Sequence, residues 1–240
     1  MRILVVNPNT TESMTAAIGE ACRAVAAEGT EVTAINPGWG PPSIETYVED
    51  YVAAAAMLQT IAALRDDYDA FVIACAGDPG LYAARQLTDA PVIGIAEAAM
   101  HMACLVAHRF SIVTVIDSVT PMLADTVSAA GMSERCASIR ATSLSVLEIE
   151  QDYAHAERVL LAECRRAVTE DGAEAIVLGC AGMGPLDKRL QGELDVPVLD
   201  GCGCAITLAE SCHRYGITTS KAGAFGMDTG RIARLGFPAR

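Results

Sequence analysis

Apolar residues fall along the chain in short continuous runs, separated by stretches where they recur every three or four positions. Ile3-Leu4-Val5-Val6 is one such run, and Asn7-Pro8-Asn9-Thr10-Thr11 after it reads as a turn and helix cap. Met14, Ile18, Cys22 and Val25 then mark the buried stripe of an amphipathic helix. Glu31 to Ile35 is predicted as a second strand, Asn36 to Pro42 as a loop, and roughly Val48 to Leu64 as a second helix. A third strand, Ala70-Phe71-Val72-Ile73-Ala74, runs up to Cys75. Strands without polar alternation must be covered on both faces, and intervening helices make their connections parallel. The pattern predicts an α/β protein.

The order of elements repeats. Ala70-Phe71-Val72-Ile73-Ala74-Cys75-Ala76-Gly77 runs alongside Ala175-Ile176-Val177-Leu178-Gly179-Cys180-Ala181-Gly182. Each is followed by a short helix and a Pro-led strand, Pro91-Val92-Ile93-Gly94 and Pro197-Val198-Leu199-Asp200, and each of those opens another helix. Upstream, Ile112-Val113-Thr114-Val115 is the counterpart of Ile3 to Val6. Duplication therefore predicts two pseudo-symmetric lobes, each a mainly parallel sheet flanked by helices, with the active site in the cleft between them. No low-complexity linker separates the halves, so close packing is expected.

Composition narrows the function classes. With 52% hydrophobic and 20% charged residues among 240, the chain has ample core and is not disordered. The most apolar stretch, Ala90 to Ile116, is interrupted by Glu97, His101, His108 and Arg109, which excludes a membrane span there. Met1-Arg2 and four apolar residues make too short a start for a signal peptide. Thirty acidic residues against 17 basic ones give a net charge of −13, so nucleic acid and anionic membranes are poor partners. Nine cysteines without an export signal point to a reducing, cytoplasmic compartment, where thiols stay free. A small-molecule substrate is what remains.

Ligands of open parallel sheets bind beyond the carboxyl ends of the strands, where Asn7, Cys75, Asp117 and Cys180 are expected. Pseudo-twofold symmetry would bring Cys75 and Cys180 to one cleft from opposite sides. Ala76-Gly77 and Ala181-Gly182 supply backbone amides able to stabilise a thiolate or an enolate-like oxyanion. Two opposed thiols are what a two-base racemase needs, one removing an α-proton and the other returning one. No cofactor is expected. Lys188 and Lys221, the only lysines, are not placed for pyridoxal chemistry, and no Gly-rich turn matches a nucleotide fingerprint. Cys202-Gly203-Cys204 with Cys212-His213 matches no common zinc spacing, so no metal site is expected either. Cys22, Cys104 and Cys164 lie on apolar helix faces as packing residues, as does Met183 beside the site. Asp78 reads equally as a helix cap or a ligand-orienting group.

These residues resemble a family. The opening from Met1 through Met14-Thr15, Pro42-Ser43-Ile44-Glu45, Gly77-Asp78-Pro79-Gly80-Leu81 after Cys75, and Asp171-Gly172-Ala173 through Met183 are similar to hydantoin and allantoin racemases of the aspartate/glutamate racemase superfamily. The resemblance covers nearly the whole chain. It implies a cofactor-independent racemase with Cys75 and Cys180 as acid/base pair, acting on a 5-substituted hydantoin or related ureide. It also implies a homo-oligomer, and a C-terminal segment returning to the first lobe: residues 1–100 plus 208–240 as lobe 1, 101–207 as lobe 2. Asn7, Ser43, Ile44, Ala76, Gly77, Asp78, Ser118, Ala181 and Gly182 are then the expected substrate-binding residues, with the loop from Asn36 to Glu45 over the pocket. Departures are Ala76 where many relatives are aromatic, and Ile116-Asp117-Ser118-Val119 in place of an Arg-containing turn. Amino-acid racemases of this superfamily follow their cysteines with Asn-Thr and Thr-His, which grip charged groups. Ala-Gly at both places suits a neutral ring instead. The competing expectations are a decarboxylase or cis–trans isomerase of a dicarboxylate, and a ureide-binding sensor.

Overall fold

The computed structural model describes residues 1–227, 229–234 and 236. The first lobe contains β1 (Arg2–Val6), α1 (Glu12–Val25), β2 (Glu31–Ile35), α2 (Tyr47–Leu64), β3 (Ala70–Ile73), α3 (Leu81–Leu87), β4 (Val92–Gly94) and α4 (Ile95–Val106). The second contains β5 (Phe110–Thr114), α5 (Thr120–Ala129), β6 (Cys136–Ala141), α6 (Val146–Gln151), α7 (Tyr153–Asp171), β7 (Ala175–Leu178), α8 (Asp187–Gly192) and β8 (Val198–Leu199). The chain continues into α9 (Gly201–Tyr215) and α10 (Thr229–Arg234). The two sheets have matching orders, β2-β1-β3-β4 and β6-β5-β7-β8, and every pairing is parallel. The duplication predicted from the cysteine-bearing strands is therefore present strand for strand.

Alternation along β1 and β3 divides the core. Leu4, Val6, Phe71 and Ile73 face Met57, Ile61 and Leu81, beneath α2 and α3. Ile3, Val5 and Val72 face inward, into a second cluster that runs through α4 and α9 to Phe110, Ile112 and Val177 of the other lobe. Both lobes thus share one hydrophobic core, as the missing linker led us to expect. At roughly 25 cal/mol per Å² of apolar surface removed from water, this shared core holds the two sheets in fixed relation. After α9 the chain runs along the edge of the first sheet. Thr219 donates its N–H to Asp89 O at 2.9 Å and its hydroxyl to Ala90 O at 2.8 Å.

The helix that follows the last strand of each sheet is capped by a buried carboxylate, but the two carboxylates come from non-equivalent positions. Asp78, from the loop after β3, accepts the N–H groups of Ala96 (3.1 Å) and Glu97 (2.8 Å) at the start of α4. Asp200, directly after β8, accepts those of Cys202 (3.2 Å) and Gly203 (2.8 Å) at the start of α9. Each carboxyl group fills the space left by a glycine. A Cβ on Gly94 would lie 2.3 Å from the Asp78 carboxyl carbon, and one on Gly184 would lie 3.0 Å from Asp200 Oδ1. Among the described residues, no helix is long and apolar enough to cross a membrane.

Candidate active site

Cys75 and Cys180 sit beyond the carboxyl ends of β3 and β7, the central strands that pair with β1 and β5. The backbone turns the same way after both. The N–H of Asp78 reaches Cys75 O at 2.9 Å, and the N–H of Met183 reaches Cys180 O at 3.1 Å. In this turn the Gly77 N–H points at the Cys75 thiol and the Gly182 N–H at the Cys180 thiol. Asp78 adopts a left-handed backbone, with φ at 47°, to complete the first turn and reach α4.

Both sulfurs line one cavity between the lobes. From the first lobe come Asn7, Asn9, Met14, Ile44, Cys75, Ala76 and Gly77; from the second, Val115, Val119, Met122, Leu123, Val146, Cys180 and Ala181. It offers about 50 Å³ to the centres of water-sized molecules, several times what a single water needs. Among the described residues, no charged side chain lines it. Asn7, itself buried, is locked by donating to Asn9 Oδ1 (2.8 Å) and Thr15 Oγ1 (3.0 Å). Asn9 Oδ1 in turn accepts the Thr11 N–H at 3.0 Å, so the turn after β1 presents rigid amides to the cavity. The lobes are tied across its mouth by Ser118 Oγ donating to Glu45 O (2.9 Å) and the Val146 N–H donating to Glu45 Oε1 (2.8 Å).

Electrostatics follow from this closure. The sulfurs touch the cavity, while protein surrounds them on every other side. Burial pushes the Cys180 thiol up to about 11, against the pull of the Gly182 N–H; the Glu45 carboxylate adds to the rise. Burial pushes Cys75 up further, against the Gly77 N–H, and Asp50, Cys180 and Asp78 add repulsion. A thiolate generated in such a place is poorly solvated and hence a strong base, held where a carbon acid would lie. Asp78 itself is pushed up to about 7 by burial, opposed by the N–H groups of Glu97 and Ala96.

Of the residues expected from sequence, Asn7, Ile44, Cys75, Ala76, Gly77, Cys180 and Ala181 line the cavity. Ser43, Asp78, Ser118 and Gly182 are not in its lining. Gly182 acts through its N–H on Cys180, Ser118 closes the inter-lobe seam, and Asp78 caps α4. Asp117, also expected at a strand end, is exposed, because β5 stops at Thr114 and it is Val115 and Val119 that face inward. From the loop before α2, Ile44 reaches the cavity lining, whereas Trp39 is half exposed and hydrogen-bonds Gln59 at 3.1 Å. Sequence reasoning missed Asn9, Met14, Met122, Leu123 and Val146. The Asn-Pro-Asn turn signalled Asn9, and Met14 was read only as core. Nothing local marks Val146, which α6 brings in from afar. Cys202 is buried against Cys22, and no cluster of three or more metal-ligating side chains occurs among the described residues.

Fold and cavity together define a class: a two-lobed parallel α/β protein with paired thiols at equivalent strand ends, facing one uncharged cavity. The Asp/Glu/Hydantoin racemase profile matches residues 3–209, and the chain belongs to this family. It is 45% identical over 222 residues to a hydantoin racemase from Pseudomonas sp. (strain NS671), covering 92% of this chain and 89% of that one. The structure superposes on an allantoin racemase from Klebsiella pneumoniae with a TM-score of 0.92 at 47% identity, covering 95% and 94% of the two chains. An allantoin racemase from Pseudomonas fluorescens gives 0.93 at 41% identity, covering 95% and 97%.

Proposed function

We propose that this racemase acts on 5-substituted hydantoins without a cofactor, using Cys75 and Cys180 as opposed bases. One sulfur, as thiolate, takes the C5 proton; the bonding pair passes into the neighbouring C4 carbonyl to give an enolate; the other thiol returns a proton to the opposite face. Reaction in the reverse sense exchanges the two roles. The single observation that carries this reading is the pairing itself: two thiols at equivalent turns, each beneath a glycine N–H, on one cavity.

The cavity also bears on the substrate. A free amino acid or dicarboxylate would bring charges that its lining does not match, whereas a hydantoin ring brings amide donors and acceptors for Asn7, Asn9 and the backbone. Met14, Ile44, Val119, Leu123 and Val146 favour an apolar 5-substituent over the ureido group of allantoin. The names of the similar enzymes support the hydantoin ring, with either kind of 5-substituent, as the substrate. The match of the two sheet orders supports a division into two lobes; the expected bounds, 1–100 with 208–240 and 101–207, fall within α4 and α9, and positions 228, 235 and 237–240 of that expectation lie outside the described residues. A cytoplasmic homo-oligomer is the accompanying expectation. It is supported by the nine free cysteines and by exposed Leu105, Val106, Tyr215 and Ile217 at the ends of α4 and α9.

Single enantiomers of benzylhydantoin, methylthioethylhydantoin and allantoin in D2O provide the test, read against an enzyme-free blank. Rotation should decay to zero as deuterium replaces the C5 proton, fastest with the apolar substituents. Saturable binding without exchange would overturn a catalytic role in favour of a sensor.

A further inference from the structure

Asp50 takes no part in the chemistry above, yet this partly buried carboxylate has one oxygen with nothing to hold it. It lies on the first turn of α2, and its Oδ1 is buried without a hydrogen-bond partner. That oxygen is aimed at the turn carrying Cys75: a Cβ on Gly77 would lie 3.1 Å from Asp50 Oδ1 and 4.0 Å from Cys75 Sγ. Carboxylate and thiol thus both border the space that the absent side chain of Gly77 leaves open. Asp50 lines a second, outer pocket with Tyr47, Tyr51, Asp78, Glu97 and Asp125, and Gly77 and Met122 form the partition between this pocket and the cavity.

The other acidic neighbours are committed elsewhere. Asp78 is held by the N–H groups that open α4, Glu97 pairs with Arg85 at 2.5 Å, and Asp125 accepts the Tyr47 hydroxyl at 2.6 Å. The charge of Asp50 is therefore left to act on Cys75, whereas the acidic neighbour of Cys180 is Glu45, whose carboxylate is already engaged by the Val146 N–H at 2.8 Å. A carboxylate oxygen buried without a partner is costly to keep, which is why such groups gather at functional sites.

Taking the two thiols as the acid/base pair proposed above, we propose that Asp50 is a positioning residue for the proton: its carboxylate adds to burial in holding Cys75 as the thiol in the resting enzyme and so favours Cys180 as the first base. The two catalytic thiols are thereby made unequal by a residue outside the reacting pair. Burial pushes Asp50 up to about 6, so it is ionised and effective at pH 7.5.

The test reads thiolate populations, not turnover. The protein is alkylated with iodoacetamide, a neutral reagent, at pH 7.5, and rates at Cys75, Cys180 and Cys212 are resolved by peptide mass spectrometry. Cys180 should react faster than Cys75 in the parent. Asp50→Asn should speed Cys75 about tenfold, the change a one-unit shift in thiol acidity produces, with Cys212 unaltered. Asp50→Glu should restore slow Cys75 alkylation, which a merely structural role would not do, and Asp50→Ser serves if the Asn variant folds poorly. An unchanged Cys75 rate in folded Asp50→Asn, or Cys75 the faster thiol in the parent, overturns the proposal. If Cys75→Ala and Cys180→Ala both racemise normally, the two-thiol reading fails instead, and the alkylation ratio still reports whether Asp50 acts on Cys75.

Discussion

At the scale of single residues, Cys75 and Cys180 are ordinary small, partly buried side chains made unusual by what surrounds them. Each ends a buried strand, receives one N–H from the glycine two residues on, and faces the other across an uncharged cavity. Neither sulfur holds the fold together. Cys75→Ala and Cys180→Ala should therefore leave far-UV circular dichroism unchanged while lowering kcat/KM for racemisation by about 10³-fold, within the range removal of a positioned acid or base produces. One base survives in each variant, so each should still exchange the C5 proton of a single enantiomer for deuterium. Parental racemisation by both would remove the thiols from the mechanism.

At the scale of elements, the two lobes solve one capping problem with swapped residues. Gly94 in the first lobe stands where Asp200 stands in the second, and Asp78 stands where the second has Met183. The carboxylate needed at the helix start comes from the turn in one lobe and from the strand end in the other, and a glycine clears its path in both. Gly94→Ala should drive a methyl into the Asp78 carboxyl group and cost about 2 kcal/mol, lowering Tm by roughly 5 °C in a chain of this size. Adding Asp78→Ala should recover part of that loss, because only the missing cap remains; a double variant less stable than Gly94→Ala would refute the coupling. These particulars show what was legible in the sequence. Continuous apolar runs announced β1, β3 and β7, and the repeated Cys-Ala-Gly pointed to the cavity that both cysteines line. Strand β6 escaped notice because it is an edge strand, whose Ser138 and Arg140 turn to Asp171 (2.6 and 2.8 Å) and interrupt any apolar run. Val146 escaped, and so did the fact that Asp78, legible as a cap, serves α4, because both depend on contacts distant in the chain, which periodicity does not encode.

At the scale of the molecule, acidic groups that resist ionisation and acidic groups that welcome it set opposite limits on stability. Asp50 and Asp78 are pushed up to about 6 and about 7, chiefly by burial. Above those values each is ionised at a cost in the fold that the unfolded chain does not bear. Below about 4, where the unfolded carboxyl also binds its proton, that cost is gone. Stability from this source therefore rises as pH falls from 8 towards 5. The net charge of −13 acts the same way, since protonation relieves self-repulsion. Glu170 and Asp171 work in reverse. Arg166 and then Arg140 hold Glu170 below the usual carboxylate range, and Arg140 followed by Ser138 does so for Asp171. Their support is complete above about 4 and is lost as pH falls through their lowered values. The two trends place the optimum of stability near pH 5, on the acid side of neutrality. Thermal melts in reductant across pH 3.5 to 8.5 should show Tm highest at about pH 5 and falling on both sides. Asp50→Asn should flatten the alkaline limb and leave the acid limb in place. A Tm that climbs steadily to pH 8 would mean that these buried carboxylates are solvated in the folded protein and carry no such cost.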